Sequence, residues 1–113
     1  MKKIEYIYEK QKDYGYIKTI EIYREIDMDV CQKYNVRLIL VKFPCWETED
    51  FFEILFERVS NLKIGDIDNL FKVLMQIEYI GDYQREDENY IVTECENELF
   101  SFSCKHIIAK GRE

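Results

Sequence analysis

The densest run of apolar positions in the chain is VRLILVKFPCW, residues 36–46, in which Leu38 to Val41 are apolar one after another. A strand with such a run has hydrophobic side chains on both faces, which is typical of a strand that is covered on both sides. Pro44 has no N–H group to donate to a neighbouring strand, so the pattern predicts that this strand ends there. We expect the rest of the fold to pack around it.

The N-terminal part of the chain has a two-residue period. Residues 4–9 alternate in this way, which predicts a half-buried strand. A turn at residues 13–15 leads to a second predicted strand at residues 16–25, and we expect the two strands to form an antiparallel hairpin. Residues 27–35 fit either a short helical turn or an irregular crossover.

The middle of the chain follows a helical period instead. Residues 48–62 are predicted to form a helix with Thr48 as its N-cap. Its apolar face would consist of Phe51, Phe52, Leu55, Phe56, Val59 and Leu62. A second helix is predicted between Asp66, which would cap it, and Gly81, which would lie just after its end. The link between them is short, so we expect the helices to pack as an antiparallel pair.

The C-terminal part predicts another hairpin. Residues 90–94 and 99–108 read as strands that turn near residues 96–97, with Phe100, Phe102 and Cys104 on the core face. The pattern as a whole predicts an α+β fold. It would contain an antiparallel or mixed sheet of about five strands, in the order β-β-β-α-α-β-β, with a helical pair packed on one face.

Length and charge narrow the classes of function. A chain of 113 residues predicts a single domain that spans residues 1–113. The net charge of −7 disfavours direct binding to nucleic acid, which requires a basic surface. The same acidity fits a protein partner with a basic surface, although it is also typical of proteins that are acidic for solubility alone. No signal peptide or membrane-spanning run is evident, so we expect a cytoplasmic protein that does not enter a membrane.

The residues that usually carry catalysis are scarce. His106 is the only histidine, and a dyad with Cys104 is the one nucleophilic arrangement that the sequence offers. The four cysteines contain no C-x-x-C spacing, and we expect them to be free thiols. No phosphate-binding glycine motif or calcium loop is present. We therefore predict a protein that is not an enzyme and that needs no cofactor or metal.

The carboxylates form two clusters, one on the predicted first helix and one that comprises Glu86, Asp87, Glu88, Glu94, Glu96 and Glu98. On the predicted first helix Glu49, Glu53 and Glu57 are four residues apart, which would align them in one ridge. Like charges at this spacing destabilise a helix, so local stability does not explain the ridge. Either the ridge is a solvated face, or it contacts lysines and arginines of a partner. The predicted partner-binding residues are Trp46, Glu47, Glu49, Asp50, Glu53, Glu57, Glu94, Glu96 and Glu98.

In size, acidity, surface aromatic residues and lack of an evident active site, the chain resembles the small acidic immunity proteins that bacteria make against toxins. The resemblance rests on general character and on no motif. It implies an inhibitor that covers a basic surface of a toxin, such as a nuclease, with its own carboxylates.

Three other functions fit the same sequence. One is a phage-encoded inhibitor of a host defence protein. Another is a small enzyme or ligand-binding domain that uses His106 and Cys104. A third is a structural subunit that pairs through the edge of its sheet.

Overall fold

The computed structural model describes residues 2–24, 34–42, 50–66, 68, 72–80, 89–95 and 98–112, of which 2, 111 and 112 are described by their backbone alone. These residues form one helix and seven strands. The elements are α1 (Lys2–Asp13), β1 (Tyr16–Tyr23), β2 (Tyr34–Val41), β3 (Phe51–Ile64), β4 (Met75–Tyr79), β5 (Tyr90–Glu94), β6 (Phe100–Cys104) and β7 (His106–Arg112).

All seven strands join in one antiparallel sheet. Its order is β1-β2-β3-β6-β5-β4, and β7 pairs with β3 alongside β6. The predicted α+β fold, with about five strands and a helical pair, is therefore wrong. The described fold is mostly β, and its single helix is not long and apolar enough to cross a membrane.

The N-terminal segment is a helix and not the predicted strand. Ile7, Gln11 and Tyr14 are buried, whereas Tyr6 is 41% exposed, so burial follows a spacing of three to four residues. Glu5 lies in the first turn, and Lys10 and Lys12 lie in the last turn, which suits the dipole of the helix. The alternation at residues 4–9 thus belongs to a helix. The predicted hairpin with residues 16–25 does not form, and β1 pairs with β2.

Strand β3 organises the sheet. It is 14 residues long and pairs with β2 on one side and with β7 and then β6 on the other. The helix predicted at residues 48–62 is wrong, because Phe52, Ile54 and Phe56 are all fully buried at every second position. Ile54 lies outside the apolar face that a helix would have presented.

Two bulges interrupt β3 and explain why its pattern looked helical. Arg58 and Asn61 both have positive φ, of 55° and 58°, and the ladders shift register next to them. Beyond the first bulge the buried position moves to Val59, which breaks the alternation. Two side chains from β2 hold the bulges, since Asn35 Oδ1 accepts a hydrogen bond from the Arg58 N–H and the Tyr34 hydroxyl accepts one from the Leu62 N–H.

The run that we expected to be central is β2, which lies between β1 and β3. Val36, Leu38 and Leu40 are fully buried, whereas Arg37 and Ile39 are only half-buried. One face of β2 therefore packs on the core, and the opposite face is partly open. Pro44, the predicted end of the strand, lies outside the described residues.

The second predicted helix, at residues 66–81, is also wrong. Its described part contains β4, in which Met75 and Ile77 are buried while Gln76 and Glu78 are exposed. Gly81 lies outside the described residues.

The C-terminal hairpin is confirmed as β5 and β6. Tyr90 pairs with Cys104, which is one residue away from the expected register. The strand predicted at residues 99–108 is divided at Lys105, whose N–H donates to the Glu57 carbonyl. Phe100, Phe102 and Cys104 are buried as expected, and the proposed free thiols are found for the two described cysteines, Cys95 and Cys104.

Helix α1 packs on the core face and covers the edge of β4. Tyr6 and Tyr14 contact the ring of Phe52, at centroid distances of 5.7 Å and 6.2 Å. The amide of Gln11 donates to the Met75 carbonyl at 3.1 Å and accepts from the Met75 N–H at 2.9 Å. The Tyr8 hydroxyl does the same for Ile77, two residues further along β4. The two side chains therefore take the place of a neighbouring strand.

Candidate protein-binding face

The side of the sheet away from the core carries a mixed surface on β1, β2, β3 and β7, which we call the outer face. Paired residues in neighbouring antiparallel strands point to the same side, so the register gives its rows directly. One row runs across the four strands as Glu21, Arg37, Leu55 and Ile108. The next row is Thr19, Ile39, Glu53 and Lys110, and Glu57 lies opposite His106 beyond the first row.

Arg37 connects two strands of the outer face through ion pairs. Its guanidinium lies 2.9 Å from Glu53 Oε1 and 3.6 Å from Glu21 Oε2. The side chains of Glu21 and Glu53 are 49% and 23% exposed, so the Glu53 pair is the more shielded of the two. Arg37 Nε is buried and has no hydrogen-bond partner among the described residues. The network therefore holds the Glu53 carboxylate in place and leaves that of Glu21 more open.

Apolar side chains fill the middle of the outer face. Leu55 lies directly opposite Ile108, and Ile39 is diagonal to Leu55 across the β2–β3 ladder. Ile108 is 38% exposed, and the other two are half-buried. An apolar centre with charged residues around it is the arrangement found in many protein interfaces.

Of the predicted partner-binding residues, Glu53 and Glu57 lie on this face. They share a side of β3 because they are four residues apart in a strand, not because they lie on a helix. Asp50 is half-buried just before β3. Trp46, Glu47, Glu49 and Glu96 lie outside the described residues.

The other two predicted residues are elsewhere. Glu94 is fully buried, where its carboxylate accepts hydrogen bonds from the N–H groups of Leu74 and Leu99 at 3.0 Å and 3.5 Å. It therefore joins backbone segments and is not on the surface. Glu98 is exposed, with a φ of 54°, and borders a shallow groove of about 380 Å³ beside Lys63 and Phe100.

The described residues also locate the acidity of the chain. Lysines and arginines slightly outnumber the acids among them, although the whole chain carries −7. The excess of carboxylates therefore lies in the rest of the sequence, mainly in residues 25–33, 43–49 and 81–88. No residue pattern in the sequence alone distinguished these carboxylates from those on the strands.

His106 and Cys104 do not form a dyad. The break at Lys105 puts His106 on the outer face, opposite Glu57, whereas Cys104 is fully buried on the core face. Burial raises the pKa of the Cys104 thiol to about 12, so the reactive thiolate is scarce at neutral pH. Within the described ranges, no three or more His, Cys, Asp or Glu residues are placed to hold a metal ion.

Comparison with protein families gives a match to the immunity protein PIM8, over residues 1–110. The chain belongs to this family of immunity proteins. Comparison with curated proteins and with solved structures gave no match. The resemblance to immunity proteins is thereby confirmed, and membership in the PIM8 family implies a protein partner such as a toxin.

Several residues of the outer face were not predicted from the sequence, among them Arg37, Leu55 and Ile108. The helical spacing predicts that Leu55 lies on the apolar side of a helix, and Arg37 belongs to a run that is predicted to be covered on both sides. The signal that was available is the alternation of Thr19, Glu21 and Tyr23 with isoleucines in β1, which marks one side of that strand as polar.

Proposed function

We propose that this member of the PIM8 family is a non-enzymatic inhibitor that binds a toxin with a basic surface, such as a nuclease, and neutralises it by covering that surface. The observation that carries the proposal is the family match over residues 1–110. The net charge of −7 supports a basic partner, because opposite charges speed association and exclude wrong partners.

The outer face is the contact surface that we assign to this function. It combines the apolar centre of Ile39, Leu55 and Ile108 with the carboxylates of Glu21, Glu53 and Glu57. The ion pair with Arg37 fixes the Glu53 side chain before a partner binds, so less conformational entropy is lost on binding. A buried apolar centre would supply affinity, and the carboxylates would orient a basic toxin.

The first experiment is neutralisation. The toxin recovered with this protein from its host is expressed in cells, with and without the protein, and growth is followed. We expect the protein to restore growth and to form a stoichiometric complex with the toxin. A toxin that remains active in the presence of the folded protein would contradict the proposed function.

The second experiment tests the basic partner and the face. The association rate should fall about tenfold or more as salt rises, since steering by exposed charges is screened. Glu57→Lys should slow association relative to the wild-type protein. Glu5→Lys on α1 makes the same change of charge away from the outer face and should have little effect on the rate. A rate that does not depend on salt would contradict electrostatic attraction, and equal effects of the two variants would contradict the assignment of the face.

A further inference from the structure

The edge strands at the two ends of the strand order differ in whether side chains cover them. At one end, the edge of β4 is occupied by Gln11 and Tyr8, which make four hydrogen bonds to the backbone of Met75 and Ile77. An open strand edge is a template for pairing with another chain, and proteins commonly cover such edges. The closure of β4 by side chains of α1 removes it as a pairing site.

At the other end, β1 is the last of the described strands. Tyr16, at its start, bridges to Lys72, so the relevant part of the edge is the later part, from Lys18 to Tyr23. Here Ile22 is 50% exposed although its partner in β2, Val36, is fully buried. A large aliphatic side chain at this exposure on the core side of the sheet indicates room for apolar groups next to β1.

The side chains of β1 alternate in chemistry across the sheet. Ile20 and Ile22 pair with the buried Leu38 and Val36, so they point to the core side. Glu21 pairs with Arg37, so it points to the outer face, and its side chain is 49% exposed. A strand added beside β1 would meet apolar groups on one side and a carboxylate on the other.

We propose that an extended segment of the toxin pairs with the edge of β1 from Lys18 to Tyr23 and continues the sheet. The proposal rests on the function proposed above and specifies how the partner is bound. The segment would alternate apolar residues, which cover Ile22, with a lysine or arginine, which pairs with Glu21. Main-chain hydrogen bonds would supply affinity, and the alternating side chains would supply specificity. A second copy of this chain fits less well, because each copy carries a charge of −7.

The test compares two exposed aliphatic residues at opposite ends of the sheet. Ile22→Lys puts a charge against the apolar side of the incoming strand, and Leu74→Lys makes the same kind of change at a position that is 44% exposed beside the covered edge. Both variants should fold, because about half of each side chain is already exposed to water, and circular dichroism verifies this. We expect Ile22→Lys to raise the Kd for the toxin about tenfold or more, and Leu74→Lys to leave it nearly unchanged.

Amide hydrogen exchange gives an independent readout. In the complex of the wild-type protein with its toxin, exchange in residues 16–23 should slow relative to the free protein. The inference is overturned, with the proposed function intact, if the toxin binds both variants equally or if β1 exchanges as fast in the complex as alone. It is likewise overturned if the protein alone forms a dimer that Ile22→Lys dissociates. Absence of any binding of the toxin to the wild-type protein would instead overturn the proposed function.

Discussion

Gln11 offers the most direct test of how this fold is held together, because its side-chain amide makes two of the hydrogen bonds by which α1 covers the edge of β4. Gln11 is 8% exposed and makes hydrogen bonds of 2.9 Å and 3.1 Å with the N–H and C=O of Met75. In Gln11→Ala both backbone groups lose their partner at a site that water hardly reaches. The variant therefore removes two hydrogen bonds without changing the backbone of either element.

The magnitude follows from the cost of leaving buried groups unpaired. Each buried N–H or C=O without a partner costs about 1–3 kcal/mol. Alanine favours the helix over glutamine by a few tenths of a kcal/mol, which offsets a little of the loss. Relaxation that admits water at Met75 offsets more, so we expect Gln11→Ala to lower the free energy of unfolding by about 2–4 kcal/mol. That is a large part of the ~5–15 kcal/mol that stabilises a typical domain.

The assay is urea denaturation followed by circular dichroism, with Lys12→Ala as the control. Lys12 is the next residue of α1, is exposed, and pairs only with the exposed Glu9 at 3.1 Å among the described residues. It should change the unfolding free energy by less than ~0.5 kcal/mol, because exposed ion pairs contribute little. If Gln11→Ala lost no more than Lys12→Ala, the closure of β4 by α1 would not contribute to stability and the reasoning would be refuted.

The remaining predictions use the same denaturation assay. Tyr8→Phe removes both hydrogen bonds to Ile77 and should lower the free energy of unfolding by about 1–3 kcal/mol. Tyr6→Phe, at a residue that is 41% exposed, should lower it by less than ~0.5 kcal/mol, and equal losses would contradict the role of Tyr8. Glu94→Ala should destabilise by about 2–4 kcal/mol, since it leaves two N–H groups without their acceptor, and a neutral effect would show that these bonds are dispensable. Burial raises the pKa of the Cys104 thiol to about 12, so the thiol loses its proton at lower pH in the unfolded state than in the folded state. The free energy of unfolding should therefore fall as pH rises from ~9 toward 12, and Cys104→Ala should make that fall less steep.

The class of function was accessible from the sequence, and most of the fold was not. Charge and missing chemistry led to immunity proteins, which the family match confirms. The helical period at residues 51–62 was misleading because two bulges, at Arg58 and Asn61, shift the buried positions of a strand by one residue each. In α1 the reverse happened, since a short helix with apolar residues at positions 4, 6, 7 and 8 also shows alternation.

The candidate site shows the same limit at the level of single residues. Glu53 and Glu57 share a face in either a helix or a strand, because four residues is close to a multiple of both periods. Their alignment therefore does not depend on which secondary structure forms. The burial of Glu94 could not be predicted, since nothing in the neighbouring sequence indicates that this residue is fully buried and accepts hydrogen bonds from two backbone N–H groups. Local patterns describe which side of an element a residue occupies, but not what lies opposite.

By itself the sequence determined the strands β1, β2, β5 and β6, because each has a local alternation or a dense apolar run that is typical of a strand. It also determined the acidity that favours a basic partner. Only the tertiary structure decided that residues 51–64 form a strand, that Gln11 and Tyr8 close the edge of β4, and that β1 is the other end of the order. The physical reason is that these features depend on contacts between residues more than 60 positions apart, or on bulges stabilised by a neighbouring strand. Such contacts leave no period in the sequence around either partner.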